Sequence, residues 1–490
     1  MINTVYELIT DVMAKQYPDR VAFRYVAADG KTVVEKTYAQ YVQDIRRAVT
    51  YFKENIPDIK GKRVGIMSRN CYEYGVNSFG AILAGAVVVT INQKKTWPEL
   101  EYELGLVEPS LIVNDGIDYG CRPDIEAAYG DKLRPMDAFR DSAPAELVDC
   151  VGHDDLMVLM FTSGTTGRSK GVMLSEKNYF TACQMYIDGQ KCVLDYEERL
   201  VPQYLDQTFS HFTLVPMFHL AGFICYFVYG IQGWTLNLCC DARDLRRDMS
   251  LMHSDAMSTP PVLVEMICNE VKRGHADRLN GLWNLSCSSA ILDPVILSDL
   301  VKNGFYINQC YSMTELAGYG LLNVTQEGDH LRALGKPDGF CEVKVDETGE
   351  ICVRGGCVML GYYKDSETTA ETIDKDGWLH TGDLARVDEE GCYYMTGRKK
   401  NLIILDSGEN VSPEELEKLL GKCDAIKECI VKEMGKKIGT VVCCEDDRQQ
   451  QVKAFVTELN RTLPLYKRIS VVECSAEPLP RNALGKLLRK

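Results

Sequence analysis

The sequence predicts an α/β protein of at least two domains, and three observations predict it. A chain of 490 residues is too long to bury a single core. Its first two-thirds alternate short apolar runs with helical segments. From about residue 331 the texture changes to short segments cut by Gly and Asp.

The elements follow in order. Arg63 to Met67 reads as a strand, Tyr72 to Leu83 as a helix and Ala86 to Thr90 as a strand. Glu99 to Leu106 then reads as helix, with strands at Leu111 to Val113 and Leu156 to Met160. Strands that are apolar throughout, separated by helices, imply parallel sheets covered on both faces. Gly171 to Leu174 reads as another strand, and Ser175 is the N-cap of the next helix. Leu214 to Ile231 holds eighteen residues without formal charge, the lower limit for a membrane span. Pro216, His219, two glycines and no flanking basic cluster favour a buried core helix instead. GKPDG, DETGEICVRGG and DEEGCYYMTG suggest a small antiparallel β region over about 331–397. Beyond Arg398 a compact α+β tail is expected, with a strand at Leu402 to Leu405 and helices at Pro413 to Leu420 and near Val452 to Leu463.

Charge and cysteine content narrow the function classes. A net charge of −15 argues against a nucleic-acid partner, because phosphate backbones need a basic surface. None of the twenty cysteines forms a C-x-x-C pair, so they read as small buried hydrophobes in a reducing compartment. The N-terminus shows no basic n-region and no apolar h-region. The expected location is cytoplasmic, with no transmembrane segment.

FTSGTTGRSKG, residues 161 to 171, cannot pack as its preceding strand does. Its glycines free the backbone, its hydroxyls donate, and Arg168 and Lys170 supply positive charge. Such a loop can wrap a phosphate, although the spacing is not that of a Walker loop. A solvated surface turn is the alternative for this stretch taken alone.

The loop resembles the signature of the AMP-forming acyl-CoA synthetase, adenylation-domain and luciferase superfamily. Further similar stretches follow in that family's order: PMFHLAG (216–222), YSMTE (311–315), GEICVRG (349–355), GWLHTGD (377–383), GRKKNLIIL (397–405), GENVSPEELE (408–417) and PRNALGK (480–486). The resemblance implies a large N-terminal domain of two mostly parallel sheets with flanking helices plus a small β-barrel-like region. It also implies a small mobile α+β C-terminal domain, with the boundary at 397/398. The activity implied is ATP-dependent formation of acyl-AMP with pyrophosphate release, then transfer to the thiol of coenzyme A. A stand-alone adenylation enzyme loading the phosphopantetheine of a separate carrier protein is the alternative. A catalytically inactive nucleotide-binding relative is a third reading.

The same resemblance implies residue roles. Thr162, Ser163, Gly164, Thr165, Thr166, Gly167 and Lys170 would hold the β- and γ-phosphates. Thr314 would contact the α-phosphate, and Glu315 the Mg²⁺. Ser289, Ala290 and Tyr311 would border adenine, with Asp383 and Arg398 on the ribose. Lys486 would bridge the substrate carboxylate and the α-phosphate. Lys400 would be the hinge, and Gly408 would border the thiol channel. Phe218, His219, Gly222, Ser288, Cys310 and Ser312 would form the acid pocket. No carboxylate lies between Leu214 and Leu238, so an amino-acid substrate would leave its ammonium unpaired. A fatty or aryl acid is therefore expected. Ser288, Cys310 and Ser312 stand where relatives usually carry glycine, which predicts a narrowed pocket.

Overall fold

The computed structural model describes residues 2–162, 168–200, 209–288, 292, 294–323, 329–404, 410–435, 437–481 and 487–488. The chain divides into two compact units, Met1–Glu342 with Val353–Leu379, and Val343–Cys352 with His380–Lys490.

The first unit holds two large sheets. In the seven-stranded sheet the order is Gly361–Tyr362, Lys170–Leu174, Val158–Thr162, Val87–Thr90, Arg63–Met67, Leu111–Asn114 and Leu133–Pro135. The strands from Val158–Thr162 onward pair in parallel. Val87–Thr90 and Leu111–Asn114 are buried at every position, which explains their apolar runs without alternation. Lys170–Leu174 departs from the parallel expectation and returns antiparallel to Val158–Thr162. Thr162 pairs with Lys170, leaving residues 163–169 as the connection. Seven residues suit a hairpin and are too few for a parallel crossover. Ser175 caps the following helix as expected: its Oγ accepts the Asn178 N–H at 3.4 Å, and Asn178 Oδ1 accepts the Ser175 N–H at 2.8 Å.

The eight-stranded sheet runs Gly320–Asn323, Tyr306–Ser312, Asn284–Ser288, Ala256–Thr259, Ser210–Thr213, Thr235–Leu238, Val21–Val26 and Val33–Thr37. Its inner pairs are parallel and its two outermost pairs antiparallel. Met257, Leu285, Cys287 and Ile307 enter one core cluster, together with Val264 and Ile267 of helix Pro261–Lys272 and Leu297 and Leu300 of helix Pro294–Lys302. Because strand side chains alternate, Ser258, Asn284, Ser286, Ser288, Asn308 and Cys310 occupy the opposite face.

The apolar stretch 214–231 runs into the 13-residue helix Leu220–Gln232. Among the described residues no helix is long and apolar enough to cross a membrane. The helix is apolar all round because it is packed all round. Phe227 stacks on Tyr179 at 4.9 Å and meets Phe79 edge-on at 5.3 Å. Gly233, at φ 65°, ends it in a left-handed cap.

The expected β region after residue 331 includes the four-stranded sheet Glu342–Val345, Glu350–Arg354, Leu379–Val387 and Tyr393–Arg398. The second unit adds the three-stranded sheet Glu428–Glu433, Ile438–Cys443 and Val471–Ser475 with helices Pro413–Leu420 and Gln449–Thr462. Leu416, Leu420, Val431 and Val456 share its core. Position 398 lies inside this unit, at the end of Tyr393–Arg398.

Phe227→Ala should destabilise the protein by about 3–5 kcal/mol, the range for truncating a fully buried aromatic ring. Chemical denaturation monitored by tyrosine and tryptophan fluorescence measures it. An unchanged midpoint would contradict the central placing of this helix.

Candidate active site

The hairpin that frames the glycine-rich loop brings two of the expected residues side by side. Thr162 and Lys170 are cross-strand partners, one at each mouth of the loop. Ser163, Gly164, Thr165, Thr166 and Gly167 lie outside the described residues. Three cations border the frame. Arg168 lies over the Tyr102 ring at 5.6 Å, and Lys170 over the Tyr362 ring at 4.9 Å. Lys95 Nζ donates to Ser169 Oγ at 3.2 Å and pairs with the buried carboxylate of Glu103. Burial pushes the Glu103 carboxyl up, and Lys95 opposes that shift.

Strand Tyr306–Ser312 leads into the short turn Thr314–Leu316, which carries the expected pair Thr314 and Glu315. The Tyr362 hydroxyl donates to Glu315 Oε1 at 3.0 Å while its ring underlies Lys170. Tyr362 thus links the carboxylate to the loop lysine. Its own hydroxyl is pushed above the ordinary range, by burial first and by Glu315 next. A single hard carboxylate of this kind suits Mg²⁺, which takes most of its ligands from phosphate and water. Tyr311 stands on the strand face opposite Cys310 and pairs with Leu321 of the neighbouring strand.

In the second unit Asp383 and Arg398 are cross-strand partners, with Arg398 Nε 2.8 Å from Asp383 Oδ1. Asp383 is buried, and its arginine is half exposed. The preceding Gly382 N–H donates to Glu350 Oε1 at 2.7 Å. Glu350 Oε2 accepts from Lys399 Nζ at 2.8 Å, so one buried carboxylate ties the Asp383 strand to the residue after Arg398. Lys400 is exposed in the turn Lys399–Asn401. Gly408 and Lys486 lie outside the described residues.

A cavity of about 70 Å³ opens on the polar face of the eight-stranded sheet. Ser288 and Cys310 line it as expected, and the Cys310 thiol lies 3.4 Å from the Tyr186 hydroxyl. Ser289 and Ala290 are outside the described residues. Phe218, His219, Gly222 and Ser312 are not among the lining residues, whereas Ala221, Ile224 and Cys225 of helix Leu220–Gln232 are. His219 instead caps that helix, its Nδ1 accepting the Ala221 N–H at 3.3 Å. Gly222 lets the helix start pack on backbone, since a Cβ there would lie 2.4 Å from the Pro216 carbonyl oxygen. The Phe218 carbonyl accepts from Thr90 Oγ1 at 3.0 Å. His211, buried in the cavity wall, is pushed down to about 3 by desolvation and is neutral.

Sequence reasoning missed Lys95, Tyr362, His211, Asn284 and Asn308. Tyr362 follows directly on the glycine of LGYYKD and could have been noticed as an aromatic after a turn. The alternation in NLSCS and YINQC marks the polar face, but not that it bounds a cavity.

The family model for AMP-binding enzymes matches residues 11–363. A feruloyl-CoA synthase from an Amycolatopsis species is 30% identical, over 88% of this chain and 88% of that protein. A 4-coumarate–CoA ligase-like protein of Oryza sativa is 28% identical, over 99% of this chain and 92% of that protein. The solved structure of o-succinylbenzoate coenzyme A synthetase from Bacillus subtilis, in complex with ATP and a magnesium ion, shares the fold. Its TM-score is 0.79 at 23% identity, covering 99% of this chain and 98% of that one.

Tyr362→Phe keeps the ring beneath Lys170 and deletes the donor to Glu315. It should weaken binding of magnesium-nucleotide by about ten- to hundredfold, the size of one hydrogen bond to a charged group. Calorimetric titration with Mg-ATP checks it. An unchanged dissociation constant would remove Tyr362 from the site.

Proposed function

The chain belongs to the AMP-binding enzyme family, and from that membership we propose that it joins a carboxylic acid to coenzyme A through an acyl-AMP intermediate. The observation that carries the reading is that one strand serves both halves of the chemistry. Tyr306–Ser312 lines the cavity through Cys310 and runs on through Tyr311 to Thr314 and Glu315, which Tyr362 links to Lys170. An acid held in the cavity and a nucleotide held at the loop therefore meet at one strand end.

The first step is attack of a carboxylate oxygen on the α-phosphorus of ATP, with pyrophosphate leaving. Repulsion between the two anions makes up much of the barrier, so cations and oriented donors lower it. Lys170 and the hydroxyls of the glycine-rich loop hold the β- and γ-phosphates. Lys95 adds positive charge beside Ser169. Glu315 would hold a magnesium ion, which would supply further neutralisation of phosphate charge. Asp383 receives the ribose hydroxyls, with Arg398 fixing its carboxylate. Lys486 bridges the carboxylate and the α-phosphate.

In the second step a thiol attacks the acyl carbonyl and AMP leaves. The segment after Lys400 turns about that residue, so that Gly408 replaces Lys486 beside the acyl group. Coenzyme A is the acceptor that the names of the relatives support, in preference to the phosphopantetheine of a carrier protein. The small cavity and the named relatives favour a compact aryl acid over a long aliphatic one. The cysteines, free wherever described, fit a reducing compartment, and we place the protein in the cytoplasm.

Pyrophosphate release across a panel of aryl and aliphatic acids, with and without coenzyme A, tests the reading. No release with any acid would overturn it. Lys486→Ala should lower acyl-AMP formation by about 10²–10³ while sparing thioester formation from supplied acyl-AMP. Equal loss in both half-reactions, measured by single-turnover kinetics, would contradict the division of labour between Lys486 and Gly408.

A further inference from the structure

Four side chains that can ligate a metal meet on one face of the four-stranded sheet, all of them within the second unit. Glu350 and Cys352 are two residues apart on Glu350–Arg354 and so share a face, and His380 stands on the neighbouring strand Leu379–Val387. Asp346 joins them from the turn before Glu350, where its Oδ1 accepts the Thr348 and Glu350 N–H groups at 2.8 and 2.9 Å. One ligand atom from each of the four lies within 4.8 Å of all the others. Cys352 and Glu350 are buried, whereas the His380 side chain is 32% exposed and leaves a way in from solvent.

The spacing within the group is that of a metal centre. His380 Nδ1 lies 3.3 Å from Glu350 Oε2 and 3.5 Å from Cys352 Sγ. A ring nitrogen carries one proton or one lone pair, so it can donate to the carboxylate or accept from the thiol, but not both. A zinc ion held tetrahedrally at ordinary bond lengths would set its nitrogen about 3.4 Å from a carboxylate oxygen and about 3.6 Å from a thiolate sulfur. Both distances are already in place. Sulfur and imidazole donors select zinc over magnesium and calcium, which prefer oxygen. Glu350 Oε1 accepts the Gly382 N–H at 2.7 Å, and that bond orients the carboxylate as a metal ligand needs. Lys399 Nζ lies 2.8 Å from Glu350 Oε2, and an ionised carboxylate oxygen has lone pairs for both an ammonium and a metal. A thiolate and two carboxylates around a divalent ion leave a net negative charge, which the Lys399 ammonium offsets.

We propose that Cys352, His380 and Glu350, with Asp346 as the fourth ligand, bind one zinc ion that clasps the Glu350 strand to the strand carrying Asp383. The thiol proton of Cys352 leaves to solvent as the sulfur–zinc bond forms. This centre differs in donor chemistry from the lone carboxylate of Glu315, and it does not depend on the acid-activating reading.

The experiment titrates the reduced, chelator-treated full chain with zinc by calorimetry and with cobalt(II), a coloured substitute for zinc, by absorption. The parent should take up one tight equivalent and melt at a higher temperature with zinc than with chelator. Its cobalt form should show a sulfur-to-cobalt charge-transfer band and the intense visible bands of a four-coordinate site. A large excess of magnesium should leave that cobalt in place. Cys352→Ser should abolish the charge-transfer band and weaken zinc binding by about a hundredfold or more, since losing even a hydrogen-bond partner of a ligand costs roughly ten- to hundredfold. His380→Gln, at a partly exposed residue, should weaken zinc similarly, and it stands in should Cys352→Ser fail to give a normal melting curve. The absence of a tight equivalent in the parent, or displacement of cobalt by magnesium, would overturn the proposal. So would zinc uptake unchanged in either normally folded variant, which would place the ion on other side chains.

Discussion

The alternation of side chains along the eight-stranded sheet is the constraint from which the rest follows. Burying Leu285, Cys287 and Ile307 against the helices commits Asn284, Ser286, Ser288, Asn308 and Cys310 to the other face. A slip of one residue would put asparagines into the core and leucine into the cavity, at a cost of several buried polar groups. The apolar side of the pleat thus fixes the chemistry of the polar side. It also fixes Tyr311 opposite Cys310, so the strand can serve two different ligands from its two faces.

Charge is divided along the same strand. The lysines and arginine that can meet phosphate gather around the hairpin of Val158–Thr162 and Lys170–Leu174, and Glu315 joins them through Tyr362. The described cavity wall holds hydroxyls, amides, a neutral imidazole and aromatic rings, without a formal charge. A reaction between a carboxylate and a polyphosphate needs that contrast. In the proposed site its anionic ends would be met by cations, and the body of the acid would lie in surroundings where an extra charge is penalised.

Much of this was legible in the sequence, for reasons that are local. Arg63–Met67, Tyr72–Leu83 and Pro413–Leu420 fall where periodicity and caps put them, because each signal lies within a few residues of the element it bounds. The order of the motifs gave the family resemblance. The direction of Lys170–Leu174 was missed because the seven-residue loop before it reads as a phosphate motif before it reads as a hairpin connection. Tyr362 and Lys95 were missed for a deeper reason. Their partners Glu315 and Ser169 lie 47 and 74 residues away, and no local pattern encodes such pairings.

The central claim is that a carboxylate oxygen of the substrate becomes bonded to the α-phosphorus of ATP before the thiol arrives. Labelling both carboxylate oxygens of the acid with ¹⁸O and completing the reaction with coenzyme A tests it directly by mass spectrometry of the products. Attack on the α-phosphorus followed by thiolysis leaves one labelled oxygen in AMP, with unlabelled pyrophosphate. Label in inorganic phosphate, with ADP as the nucleotide product, would mean attack on the γ-phosphorus and would contradict the account.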